Sequence, residues 1–275
     1  LDIEAEHLDF FKDIQDIRNS FRKFASNTKN DGAIIINGQI EQYKEITNGL
    51  SARIITFGLN PSFDYSATDI TYNEKACASY TLLKNGSPLG EITLNVPGEH
   101  NVYNSLSAIA ACLDMGVELS YIKQGLSVFG GAKRRFEYKG TLNGITIIDD
   151  YAHHPTEITA TLQAAKNYPH GRIICVFQPH TYSRTKAFLK DFANALSLAD
   201  IVILADIYAA REKNTLGISS TAILDELKAL GQEAYYFPSF DEIENFLLQN
   251  CINNDLLITM GAGNIYLVGE HLLGH

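Results

Sequence analysis

Residues 146–185 read TIIDDYAHHPTEITATLQAAKNYPHGRIICVFQPHTYSRT, and this stretch decides the fold. A short β-branched run, 146–149, ends in two aspartates and two histidines. A run of helix formers, 155–167, follows behind a proline at its first position, where a missing N–H costs nothing. A second apolar run, 172–177, then ends in another polar cluster. Strand, helix, strand at this spacing is a right-handed crossover joining two parallel strands. The pattern continues to the end of the chain, with strands expected at 201–204, 234–237 and 256–259. Helices are expected at 185–198, 220–230, 240–248 and 264–273. The expected architecture is α/β, with a mostly parallel sheet covered on both faces.

Upstream the rhythm differs. A helix is expected over 14–25, from apolar residues at Ile14, Ile17, Phe21 and Phe24, with strands at 33–36 and 53–57 and a helix at 40–48 between them. Residues 78–83 and 91–94 form a hairpin around Asn85-Gly86, and a helix spans 102–115, closed by Gly116. The boundary is placed near Phe136, giving domains 1–136 and 137–275. The strands at 33–36 and 53–57 are apolar enough to require neighbours that residues 1–135 do not obviously supply.

Composition narrows the function. The 275 residues carry 22 Lys and Arg against 32 Asp and Glu, a net charge of −10. Such a surface repels phosphate backbones and anionic lipids, so nucleic acid and membrane are not expected partners. No apolar run approaches the roughly 20 residues of a membrane span, and the acidic first residues do not read as a signal peptide. Cys77, Cys112, Cys175 and Cys251 fall at no paired spacing and read as free thiols of a cytoplasmic protein.

In an open parallel sheet, ligands bind beyond the carboxyl ends of the strands. The polar clusters fall there: Asp149–His154, Gln178–Thr185, Asp206–Tyr208 and Gly261–Asn264. The His153–His154 pair after two aspartates suits a metal, a carboxylate or a polarised substrate. Arg184, near a helix start, opposes the helix dipole and so calls for an anionic partner. Gly261-Ala262-Gly263 resembles an anion cradle but is a weak dinucleotide fingerprint, lacking the third glycine. Asn101 and Asn104, three apart at a helix start, share a face and suit an adenine edge, or Asn101 simply caps the helix. Lys133-Arg134-Arg135 is a basic knot after a double glycine, either a phosphate site or a solvated charge run.

Taken together, GEHNVYNSLSAIAA, GGAKRRFE, DDYAHHPTEI, FQPHTYSRT and DIYAARE resemble the successive motifs of the Mur ligase family. The resemblance runs from IEAEHLDFF to TMGAGNIY, nearly the whole chain. It implies the second half of a central α/β ATPase domain followed by a complete carboxyl-terminal Rossmann-like domain. The sequence contains no GxxxxGK[ST] or GxxGK[ST], so the phosphate loop and the UDP-binding domain are expected in a missing amino-terminal part of the same polypeptide. By itself the chain is expected to be inactive.

The resemblance further implies ATP and magnesium as cofactors. His7 would be the metal ligand, Asn101 and Asn104 would lie at the adenine, and Arg135 at the phosphates. Asp150 would be at the ribose and Tyr151 against the nucleotide, with His153 and Arg184 holding a substrate carboxylate. FQPHTYSRT points to the branch that joins free L-alanine to UDP-N-acetylmuramate in peptidoglycan precursor synthesis. The alternatives are the tripeptide-adding recycling branch and a non-catalytic ligand-binding module.

Overall fold

The computed structural model describes residues 1–5 and 10–275, which divide into two compact units. The first comprises residues Leu1–Asn73 and Cys77–Gly130, the second Glu74–Ala76 and Gly131–His275, so the units part at the double glycine.

The first unit contains α1 (Ile14–Ala25), β1 (Ala33–Asn37), α2 (Tyr43–Thr47), β2 (Arg53–Gly58), β3 (Tyr65–Tyr72), β4 (Cys77–Lys84), β5 (Ser87–Pro97), α3 (His100–Asp114) and α4 (Leu119–Val128). Its sheet runs in chain order, β1 to β5. The first three strands are parallel and the last three antiparallel. Lys84 pairs with Ser87, leaving Asn85-Gly86 as a two-residue turn with both φ angles positive, 50° and 75°, as the Asn-Gly dipeptide favours. α3 buries Val102, Leu106, Ile109 and Ala110 against this sheet, the spacing of one helical face. β1 lies at the sheet edge with Ile34–Ile36 half to fully buried. α2 is shorter than expected because Gln42 takes a left-handed φ of 58° immediately before it.

The second unit contains β6 (Glu137–Leu142), β7 (Ile145–Asp150), α5 (Pro155–Lys166), β8 (Ile173–Phe177), α6 (Tyr182–Ala187), α7 (Leu189–Leu196), β9 (Ile201–Leu204), α8 (Ser220–Ala229), β10 (Glu233–Tyr236), α9 (Phe240–Asn250), β11 (Leu256–Met260) and α10 (Tyr266–Leu272). The strand order is β10-β9-β8-β11-β7-β6. Every pair is parallel except β6 with β7.

Both faces are covered, which explains the unbroken apolar strands. On β8, Ile173, Cys175 and Phe177 enter the core under α5, α7 and α8, while Ile174 and Val176 enter the one under α9 and α10. β11 inserts between β7 and β8, so the chain's direction of progress across the sheet reverses there and a crevice opens above its carboxyl end.

Two departures from the sequence reading bear on the site. β6 forms a hairpin with β7 through Asn143-Gly144, both at positive φ. The single helix expected over 185–198 is two, α6 and α7, broken at Phe188, whose ring packs on His154.

Candidate active site

The four polar clusters lie together at the carboxyl ends of β7, β8, β9 and β11, adjacent parallel strands whose ends share one edge. At the end of β7 the two aspartates do different work. Asp149, 1 % exposed, accepts from Arg134 Nε at 3.0 Å and from Thr259 Oγ1 at 2.8 Å. Burial raises its pKa against the pull of these partners. Asp150, 5 % exposed, accepts from the backbone N–H of Phe136 and of Ala152, each at 2.7 Å. Burial pushes it up to about 6, opposed by those two N–H groups and by Arg135.

The neighbouring arginines face opposite ways. The loop before β6 places Arg134 and Phe136 at positive φ, 60° and 48°, held by Asp150 and by Tyr151 N donating to Arg134 O. Arg134 turns inward. Besides Asp149, it donates to Gly261 O at 2.7 Å and Gly263 O at 3.0 Å, its guanidinium lying over both Tyr151 and Tyr266. Arg135 turns outward, its side chain 55 % exposed, 3.7 Å from Glu157 and near the Tyr151 ring. Within the basic knot, Arg134 is thus a structural bolt, while Lys133 and Arg135 are exposed.

The histidine pair divides in the same way. His154 is the N-cap of α5: its Nδ1 accepts from Thr156 N, and Glu157 at N3 reaches back to complete a capping box. His153 stays on the crevice side, with Nδ1 at 3.0 Å from Tyr151 O and 3.3 Å from Glu157 Oε2. Burial would raise Glu157, but the His153 N–H, the His153 ring, Arg135 and the His154 N–H bring it below the usual carboxylate range.

Across from His153, at the end of β8, stand His180 and Arg184. The two imidazoles meet edge to face at 5.8 Å, and Arg184 Nη1 lies 3.2 Å from His180 Nδ1. A guanidinium can only donate, so Nδ1 accepts and His180 is neutral in this arrangement. Burial, Arg184 and His153 all lower its pKa. The Tyr208 ring stacks on the outer face of His180 at 5.7 Å.

The glycines of the β11 loop are fixed by close approach. A Cβ on Gly261 would sit 2.7 Å from Gln178 O, and one on Gly263 would strike the Gln178 amide and sit 2.8 Å from the Tyr208 ring. Tight packing against the β8 and β9 loops therefore accounts for both glycines. α10, seven residues long, begins only at Tyr266.

The structure brings Arg135, Asp150, Tyr151, His153 and Arg184 onto one edge of the second unit. Asn101 and Asn104 lie in the first unit on the first turn of α3. Asn101 donates one N–H to Pro97 O and accepts from Asn104 Nδ2, so its carboxamide is partly engaged, while Asn104 keeps its side-chain carbonyl oxygen and a second N–H. Both line a cavity of about 470 Å³ whose walls are otherwise chiefly apolar, including Leu94, Val96 and Ile122. His7 lies outside the described residues. Among the described residues, no group of three or more His, Cys, Asp or Glu side chains is placed to hold a metal ion. Glu157, His180, Tyr208 and Glu212 received no role from the sequence, although each falls inside a quoted motif.

Fold and edge together define an α/β protein with a crevice lined by His153, His180 and Arg184 at the switch point of a mostly parallel sheet. The Mur ligase middle domain matches residues 1–112, and the Mur ligase glutamate ligase domain matches residues 134–263. The UDP-N-acetylmuramate–L-alanine ligase of Agathobacter rectalis is 63% identical over 273 residues, covering 99% of this chain and 60% of that protein. Its counterpart in Lachnospira eligens is 57% identical over 274 residues, with the same coverages. Among solved structures, the UDP-N-acetylmuramate–alanine ligase of Thermotoga maritima superimposes with a TM-score of 0.79 at 30% identity, covering 98% of this chain and 56% of that one. A murein peptide ligase from Psychrobacter arcticus shares the fold, with a TM-score of 0.67 at 24% identity over 94% of this chain and 54% of that one. The chain belongs to the Mur ligase family. It spans about 60% of the length of the curated relatives it matches.

Proposed function

We propose that this chain contributes the amino-acid-handling edge and part of the ATP site of a ligase that joins L-alanine to UDP-N-acetylmuramate. The observation that carries the reading is the grouping of His153, His180 and Arg184 in a chain of net charge −10. A fixed guanidinium flanked by two imidazoles at one crevice of an acidic protein suits a small anion. The fork of Arg184 matches a carboxylate in two parallel hydrogen bonds. The relatives' names supply the amino acid.

The chemistry required is amide formation from a carboxylate. The muramyl carboxylate takes the γ-phosphoryl group of ATP, the alanine amine attacks the acyl carbon, and inorganic phosphate leaves. Each approach sets negative charge against negative charge, so fixed cations are needed at both. Arg184 and His153 would hold the alanine carboxylate, leaving its amine free. Arg135, the outward-facing arginine, would meet the ATP phosphates, with Tyr151 packed beside it and Asp150 at the ribose. Taken by itself, the largely apolar cavity of the first unit that Asn101 and Asn104 line suits a purine base. The described residues do not by themselves build a magnesium site. Magnesium, when bound, would supply charge neutralisation at the phosphates. The free cysteines accord with a cytoplasmic location.

In a full-length ligase carrying these residues, Arg184→Lys keeps the charge and loses the fork. The KM for L-alanine should rise severalfold while Tm stays within a degree or two. Early unfolding with an unchanged alanine KM would make Arg184 a structural residue and overturn the assignment.

A further inference from the structure

The DIYAARE segment, residues 206–212, received no role in the reaction, yet it touches the crevice residues at every turn. Tyr208 N donates to Pro179 O at 2.8 Å and Thr181 N to Tyr208 O at 2.9 Å, adding a parallel bridge between Tyr208 and His180 beyond the end of the sheet. Above that bridge the Tyr208 ring lies nearly flat on the His180 imidazole, at 16°. Further on, Glu212 accepts from Ser183 N at 2.9 Å and from the Ser183 hydroxyl. It therefore binds the first turn of α6, which carries Arg184.

These contacts exceed what a surface loop needs to stay folded. α6 has six residues, fewer than a helix needs to hold itself in water, so its orientation comes from outside. Thr181, at its start, has φ 67° and ψ 146°, a strained conformation for a β-branched residue. Such backbone persists where its surroundings over-determine it. The bond to Tyr208 O and those from Thr185 N and Oγ1 to Thr181 O supply that constraint. Tyr208 is 40 % exposed and adds little to the core. Its position makes sense as a stop for His180, which in turn accepts from Arg184.

We propose that Tyr208 and Glu212 are positioning residues. They brace His180 and the α6 turn so that the Arg184 fork is held at the angle that accepts the carboxylate of the incoming amino acid. The proposal rests on the reading of Arg184 above and adds the device that aims it. Neither residue is placed against the substrate. Each acts through another: Tyr208 through His180, and Glu212 through Ser183 and the helix start.

The test compares Glu212→Ala, Glu212→Gln and Arg184→Lys in a full-length ligase carrying these residues, measuring KM for L-alanine, KM for ATP and Tm. Glu212→Ala should raise the alanine KM roughly tenfold, the scale of losing hydrogen bonds to a charged acceptor. Glu212→Gln, which keeps one acceptor oxygen, should fall between it and the parent. The ATP KM should hold within about twofold, since the loss is confined to one substrate. A lower Tm with both KM values unchanged, or equal rises in both, would make Glu212 a purely structural residue and overturn the brace. If Arg184→Lys weakens alanine and Glu212→Ala does not, the brace fails alone. If Arg184→Lys leaves alanine unaffected, the carboxylate reading fails and takes the brace with it. Should Glu212→Ala not fold, Tyr208→Leu makes the same distinction from a half-exposed position.

Discussion

Arg134 and Arg135 are adjacent, chemically identical and opposite in orientation, so replacing each by Met separates folding from ligand binding. Arg134 is the only arginine described as bonded to Asp149, which is 1 % exposed. Removing one partner of a buried pair strands the other charge, at a cost of about 3–5 kcal/mol. Thr259 still donates to Asp149, which favours the lower end, about 3 kcal/mol. With a urea slope of about 2 kcal/mol/M, the unfolding midpoint of the second unit should fall by about 1.5 M.

The pH dependence follows in sign. Burial already holds the folded pKa of Asp149 above its unfolded value, and losing Arg134 raises it further. An acid with a raised folded pKa destabilises the fold at high pH. That penalty disappears as pH falls through the folded pKa toward the unfolded one. The deficit of Arg134→Met should therefore be larger at pH 8 than at pH 5. Arg135→Met, at a 55 % exposed position, should shift the midpoint little, within about 0.5 kcal/mol, while weakening ATP. Urea titrations followed by far-ultraviolet circular dichroism measure both. A small shift for Arg134→Met, or equal shifts for the two variants, would refute the division.

The histidine pair should divide likewise: His154→Ala removes a capping box and the ring against Phe188, costing about 1–2 kcal/mol, whereas His153→Ala should spare Tm and raise the alanine KM. Gly263→Ala should destabilise the second unit by about 1–3 kcal/mol, since its Cβ would collide with the Gln178 amide and the Tyr208 ring, and thermal melts read it directly. His180, whose pKa lies below its ordinary value, contributes stability above its unfolded pKa that is lost as pH falls. Protonating Nδ1 also evicts the Arg184 hydrogen bond, so a pH profile of the alanine KM should rise on its acid side and flatten in His180→Gln.

Much of the second unit was legible because its physics is local and repetitive. Strands buried on both faces must be apolar throughout, as 173–177 and 256–260 are, and helices must separate parallel strands. The site edge followed from the same logic, since polar and charged residues gathered at strand ends need partners or a ligand whether they are exposed or, like Asp149 and Asp150, buried. What escaped was non-local or short. β6 is a single antiparallel edge strand with half-buried residues and no apolar run, though Asn143-Gly144 signalled its hairpin. α4 carries Leu119, Ile122 and Leu126 at helical spacing but only one fully buried residue. At the break, Phe188 packs on His154, 34 positions earlier in the chain, a contact that no local window of sequence contains. The split roles of Arg134 and Arg135, and of His153 and His154, depend on which way a loop turns, and two arginines in a row look alike until their partners are known.

The central claim is tested most directly by supplying a full-length ligase carrying these residues with ATP, UDP-N-acetylmuramate and radiolabelled L-alanine. The account predicts label in the UDP-linked product, with one ADP and one phosphate released per alanine joined, and loss of that incorporation when ATP is omitted. Labelled alanine left free while a tripeptide is joined in its place, or no ATP-dependent incorporation of either, would contradict it.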